Sequence, residues 1–194
     1  MPPEIVQWWA FGVIGVVLII ASITDVRYGV VPKTLTYPTI VIALVGHTFF
    51  SGLLGGDSEM QLGLAGSLAG FATGFFPMLI IFLTGGIGGG DVKLMGAIGA
   101  LGGWKFVLLT LFSGLMIAVV MAIILIIRKG IVKRTLGRMG LWFWFLLSSA
   151  KPSDPATADS PKLPFAVALC IGAAIALADA ILGGPLAGKL PLLP

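Results

Sequence analysis

The sequence predicts an all-α, polytopic membrane bundle of about six spans, with both termini outside. Three observations predict it. Hydrophobic residues fill 58% of the 194 positions and charged residues only 10%, whereas a soluble globular domain carries about 25% charged residues. So few charges cannot cover a water-facing surface, so lipid must be the solvent for most of it. The apolar residues fall into long runs, and the basic residues gather on alternate loops.

A helix needs about 20 apolar residues to cross a hydrocarbon core of roughly 30 Å. Six runs qualify as candidates: 6–24, 36–54, 61–84, 92–104, 105–127 and 163–183. Each is expected to be helical, because lipid offers a bare backbone no hydrogen bonds. The fourth run is short, at about 20 Å of rise. It either starts within the membrane or merges with the fifth. The first run follows Met-Pro-Pro-Glu, without the basic start of a cleavable signal, and reads as a permanent span. The chain reads as one membrane-embedded domain, 1–194.

Loop charge sets the orientation. Arg27, Lys33, Lys93, Arg128, Lys129, Lys133, Arg134, Arg138, Lys151 and Lys162 share one side, leaving only Lys105 and Lys189 on the other. The basic side is cytoplasmic, and the chain is expected in the inner (cytoplasmic) membrane. Within the loop 128–162, the basic and aromatic stretch 128–149 reads as interfacial, with a re-entrant or short spanning segment as the alternative. The Pro- and Ser-rich stretch 151–162 reads as a linker. Glycine stripes at Gly63, Gly66, Gly70 and Gly74, and at Gly96, Gly99 and Gly103, mark close helix contacts. His47 reads as a hydrogen-bonded packing histidine and the single Cys170 as a small packing residue.

Acidic residues are scarce, and two stand out. Asp25 and Asp91 each lie at the cytoplasmic end of an apolar run, where a charge is costly and suggests function. Asp91 follows Gly88, Gly89 and Gly90, which leave room for a second backbone. Paired carboxyls share a proton, so one serves as general base toward water and the other as general acid toward a scissile carbonyl. Lys93 either biases the pair toward ionisation or extends to the headgroups. The bland reading is solvated carboxylates, with Asp91 as a helix cap.

The segment GGIGGGDVKLMGAIGALGG resembles the GxGD motif of type IV prepilin peptidases and preflagellin peptidases. ITDVRYGVVPKTLTYP is similar to their first-aspartate motif, and Lys162–Leu169 to their last-span motif. The resemblance implies an aspartic endopeptidase with catalytic Asp25 and Asp91. Gly88, Gly89, Gly90 and Lys93 would line the substrate's approach. It further implies no metal or other cofactor, and cleavage of basic leader peptides from prepilin-like proteins at the cytoplasmic face. Lipid and those substrates are the expected partners, with no nucleic acid. Lys33 stands where the family often has Asn or Asp. The chain looks like a short, peptidase-only form without the paired CxxC motifs of bifunctional members, so N-methylation is not expected. The alternatives from other classes are a small ion- or proton-coupled transporter and a non-catalytic helper subunit.

Overall fold

The computed structural model describes residues 3–52, 62–83, 85, 87–130 and 165–182, the side chains of 3–5 excepted. These residues form five helices: α1 (Pro3–Tyr28), α2 (Lys33–Ser51), α3 (Gly63–Leu83), α4 (Gly89–Arg128) and α5 (Phe165–Ile181). No strand occurs among them, so the all-α expectation holds. The first four are long and apolar enough to cross a membrane, and α5 is a shorter apolar helix. The chain divides into two compact units, Met1–Ile117 with Pro164–Pro194, and Ala118–Leu163. All contacts described below lie in the first unit. The expected features at 131–162, together with Asp57, Glu59, Asp154 and Asp159, lie outside the described residues.

Local chemistry sets the helix ends. Gly29 takes a positive φ of 66° and its N–H donates to Asp25 O at 2.8 Å, which closes α1. Pro32, in extended conformation, starts α2, and its carbonyl accepts from Leu35 N–H at 3.1 Å. Gly52, at φ 71°, ends α2 by donating to Thr48 O. α2 therefore begins three residues before the apolar run that predicted it, because Pro32 supplies the start.

The fourth and fifth predicted spans form one 40-residue helix broken at Gly103 (φ 80°, ψ 175°). A straight helix of that length would measure about 60 Å, twice the hydrocarbon thickness. It is not straight. A Cβ added to Gly99 would lie 3.3 Å from Val107 Cγ2. Eight residues along an unbroken helix rise about 12 Å, so the chain doubles back at Gly103. The two arms, 89–102 and 104–128, stand where two spans were expected.

The first arm lies against α3 with backbone in contact. A Cβ at Gly70 would strike Gly99 O and stand 2.8 Å from Gly103 Cα, and one at Gly74 would strike Met95 O. Ser67 Oγ, fully buried in α3, donates to Ala100 O at 2.7 Å. α2 adds His47, whose Nε2 donates to Leu101 O at 3.0 Å. The packing role expected of this histidine is what the structure shows. Beyond the break, Ser113 Oγ donates to Gly172 O at 3.1 Å, and a Cβ at Gly172 would meet Gly114 and Thr110. α1 packs against α2 and α5. Leu94, Met95, Ile98, Leu101 and Leu169 fill the interior, while Ile19, Val41, Phe49, Ile80 and Phe112 face outward.

The crossing of α3 and α4 tolerates no side chain at Gly70, whereas Gly15 of α1 has no described residue within 4 Å of an added Cβ. Gly70→Ala is expected to destabilise the protein by about 1–3 kcal/mol, the usual cost of overpacking. Gly15→Ala should be neutral or slightly stabilising. Thermal unfolding midpoints in detergent separate the two.

Candidate functional site

Asp25 lies in the last turn of α1, where the helix dipole disfavours an anion. Another helix compensates. Val167 N–H, in the first turn of α5, donates to Asp25 Oδ2 at 3.2 Å, and the Ala166 amide bonds the same carboxylate. These are amides that a helix start leaves without partners. Asp25 thus takes the place of a capping side chain for a helix it does not belong to.

Asp91 lies in the first turn of α4. Its Oδ2 accepts from Gly88 N–H at 3.3 Å, and its own N–H donates to Gly88 O at 3.1 Å. The start of α4 presents its positive end to this carboxylate. Asp25 and Asp91 are 7% and 8% exposed, and they lie within electrostatic reach of one another. The structure therefore brings together the two acids that the sequence singled out.

The turn between α1 and α2 joins the two halves. A Cβ at Gly90 would lie 3.0 Å from Val31 O, 3.2 Å from Val31 Cβ and 3.3 Å from Val31 N. Val31 is buried there. The clearance at Gly90 is thus used by the chain's own backbone, which sets the turn after Asp25 onto the start of α4. At Gly88 an added Cβ would stand 3.3 Å from Asp91 Oδ2, crowding the carboxylate. Among the described residues, Gly89 faces only the Phe82 ring, at 3.5 Å. None of these three has a positive φ; that conformation occurs at Gly85 (79°), where the chain leaves α3. Gly86 lies outside the described residues.

Lys93 turns to α2, with its Nζ 4.8 Å from the centre of the half-exposed Tyr37 ring. Sequence reasoning missed Cys170 as a neighbour of the pair. It is buried on α5, hydrogen-bonded with the Ser22 side chain, and within electrostatic reach of both aspartates. Helical spacing places Ser22 on the Asp25 face of α1, three positions before it, but the meeting of Cys170 with that face is tertiary and left no signal in the sequence. His47 and Asp179 lie away from the pair. Asp179 is twelve residues beyond Val167, about 18 Å along α5. No group of three or more His, Cys, Asp or Glu among the described residues could hold a metal ion.

Comparison with known proteins adds a family. A family model described as the type IV leader peptidase family matches residues 12–127, a stretch that includes both aspartates and ends before α5. A prepilin leader peptidase/N-methyltransferase of Bacillus subtilis (strain 168) is 27% identical over 117 residues. That alignment covers 60% of this chain and 44% of the relative, so the chain spans less than half of that protein's length. No solved structure matches.

The contacts at the glycines separate their roles. Gly90→Ala should push the Val31 turn off α4 and cost about 1–3 kcal/mol. Gly89→Ala, meeting an aromatic ring at ordinary contact distance, should stay within about 0.5 kcal/mol of the parent. Denaturant unfolding in mixed micelles measures both.

Proposed function

The chain belongs to the type IV leader peptidase family, and we propose that it is an aspartic endopeptidase of the cytoplasmic membrane. It removes basic leader peptides from prepilin-like substrates, using Asp25 and Asp91. The observation that carries this reading is that two buried carboxylates from different helices lie within electrostatic reach of one another, each held by backbone N–H at a helix start. Solvated loop acids would not be buried, and a single capping acid would not have a second buried acid within electrostatic reach.

The chemistry follows from the pair. Two neighbouring carboxyls resist double ionisation, so one holds a proton while the other is charged. The charged group takes a proton from water as the water oxygen attacks the scissile carbonyl carbon. The protonated group donates to the carbonyl oxygen, which gives a neutral tetrahedral diol. On collapse, the C–N bond breaks, the leaving nitrogen takes a proton from one carboxyl, and a diol hydroxyl gives its proton to the other, which restores the pair with one shared proton. The pair titrates as a unit, so neither role is tied to one residue. The Val167 and Gly88 amides each bond an Oδ2 of the pair, and the Ala166 amide also bonds the Asp25 carboxylate. This fixes the carboxylates before substrate arrives, which lowers the cost of reaching the reactive geometry.

Substrate class follows from orientation. Arg27, Lys33 and Lys93 lie near the helix ends that bear the two acids, which by loop charge is the cytoplasmic end. A leader peptide waiting on the cytoplasmic side of an apolar substrate helix would meet the pair there. Gly88 and Gly89 then form the approach, with Lys93 held aside on Tyr37.

The test uses the purified full chain in liposomes with a substrate made of a short basic leader and an apolar helix. Wild-type protein should release a shortened product. Asp25→Asn and Asp91→Asn should each lower the rate by about 10³-fold, within the range for loss of a general acid or base, while the helical circular dichroism stays unchanged. Wild-type rates in either variant would rule out the dyad.

A further inference from the structure

The break at Gly103 creates a problem that two distant side chains solve. In an unbroken helix, the amides of residues 104 and 105 would bond the carbonyls of Ala100 and Leu101. The φ of 80° and ψ of 175° at Gly103 carry those amides away. The last carbonyls of the first arm are left as orphans, deep in an apolar interior. Ser67 of α3 takes one, with Oγ–H donating to Ala100 O at 2.7 Å. His47 of α2 takes the next, with Nε2–H donating to Leu101 O at 3.0 Å. Both side chains are essentially inaccessible, at 0% and 1% exposure. Trp9 of α1 stands edge-on to the imidazole, 5.6 Å between ring centres.

These bonds do more than satisfy carbonyls. Apart from the Phe71 and Phe75 side chains of α3, which lie on Gly96, the closest approaches between the first arm and α3 are glycines against backbone at Gly70, Gly74 and Gly99. The glycine-on-backbone contacts set distance more than register, because they offer little to resist a small slide or rotation, and apolar contacts such as those of Phe71 and Phe75 are not directional. Hydrogen bonds are directional and fix both. The arm from Asp91 to Leu101 is ten residues, about 15 Å of stiff helix. A shift or rotation at its Leu101 end is passed to Asp91 at the other.

We propose that His47 and Ser67 are positioning residues for Asp91, which hold the broken end of the first α4 arm in register so that the carboxylate at its far end meets Asp25. The proposal rests on the peptidase reading above, and its test separates the two.

The experiment uses the full chain in liposomes at a temperature below the unfolding of every variant. His47→Leu and Ser67→Ala remove the donors. His47→Gln keeps an N–H at a similar reach. With the leader-bearing substrate, His47→Leu and Ser67→Ala should each lower kcat by about 10- to 100-fold, the scale of an ångström of misplacement, with KM within about twofold because the approach is untouched. His47→Gln should recover most of kcat. Without substrate, hydrogen exchange of amides 92–99 should quicken in His47→Leu and Ser67→Ala but not in His47→Gln. Faster exchange with unchanged kcat would assign the bonds to stability alone and overturn the proposal. So would a His47→Gln variant as slow as His47→Leu, or unchanged exchange in all three. If Asp91→Asn still cleaves with His47 and Ser67 intact, the peptidase reading itself fails, a result distinguishable from all of these.

Discussion

The bundle depends on a contact between bare backbones, that of α3 at Gly70 and Gly74 with the first arm of α4 at Met95 and Gly99. In lipid, helices gain nothing from hiding apolar side chains from one another, since the tails are equally apolar. Close packing and buried hydrogen bonds must hold them together instead. Glycine gives the closeness, and Ser67 and His47 give the direction. The same arm carries Asp91 at its start. Wherever the α3 crossing sets this arm, the carboxylate follows.

A second constraint shapes the site. A carboxylate at the edge of a bilayer is costly unless hydrogen-bonded. Asp91 meets this need at the start of its own helix. Asp25 lies at the wrong end of its helix and finds the missing donors at the start of α5. The last helix is therefore part of the acid pair, although the family match stops at residue 127. Cys170 and Ser22 close the same corner, linking α5 to α1 one turn away from the carboxylate. The 29–32 turn, lying on Gly90, completes the arrangement from the other side.

Much of this was legible in the residues. The apolar runs at 6–24, 36–54 and 61–84 became α1, α2 and α3, with ends moved by Gly29, Pro32, Gly52 and Gly85, whose capping roles hydropathy does not report. The expected division near 104 falls at Gly103, where positive φ makes it a turn within one long helix. Asp25 and Asp91 were visible because charge is so rare here. What was not legible is tertiary. Nothing near Asp25 in sequence points to Val167, and Gly90 signalled open space without showing that Val31 fills it. His47 was readable as a packing residue, but its acceptor depends on a backbone break that apolar periodicity does not encode.

The central claim is that Asp25 and Asp91 act as one catalytic unit, and a double-mutant cycle on cleavage tests it most directly. Groups that share one proton and one water lose their function together, so removing the second costs little once the first is gone. The account predicts that Asp25→Asn combined with Asp91→Asn cleaves no more slowly than either single variant. If the two losses instead multiplied in the double variant, each residue would be contributing independently, and the shared-proton account would be contradicted.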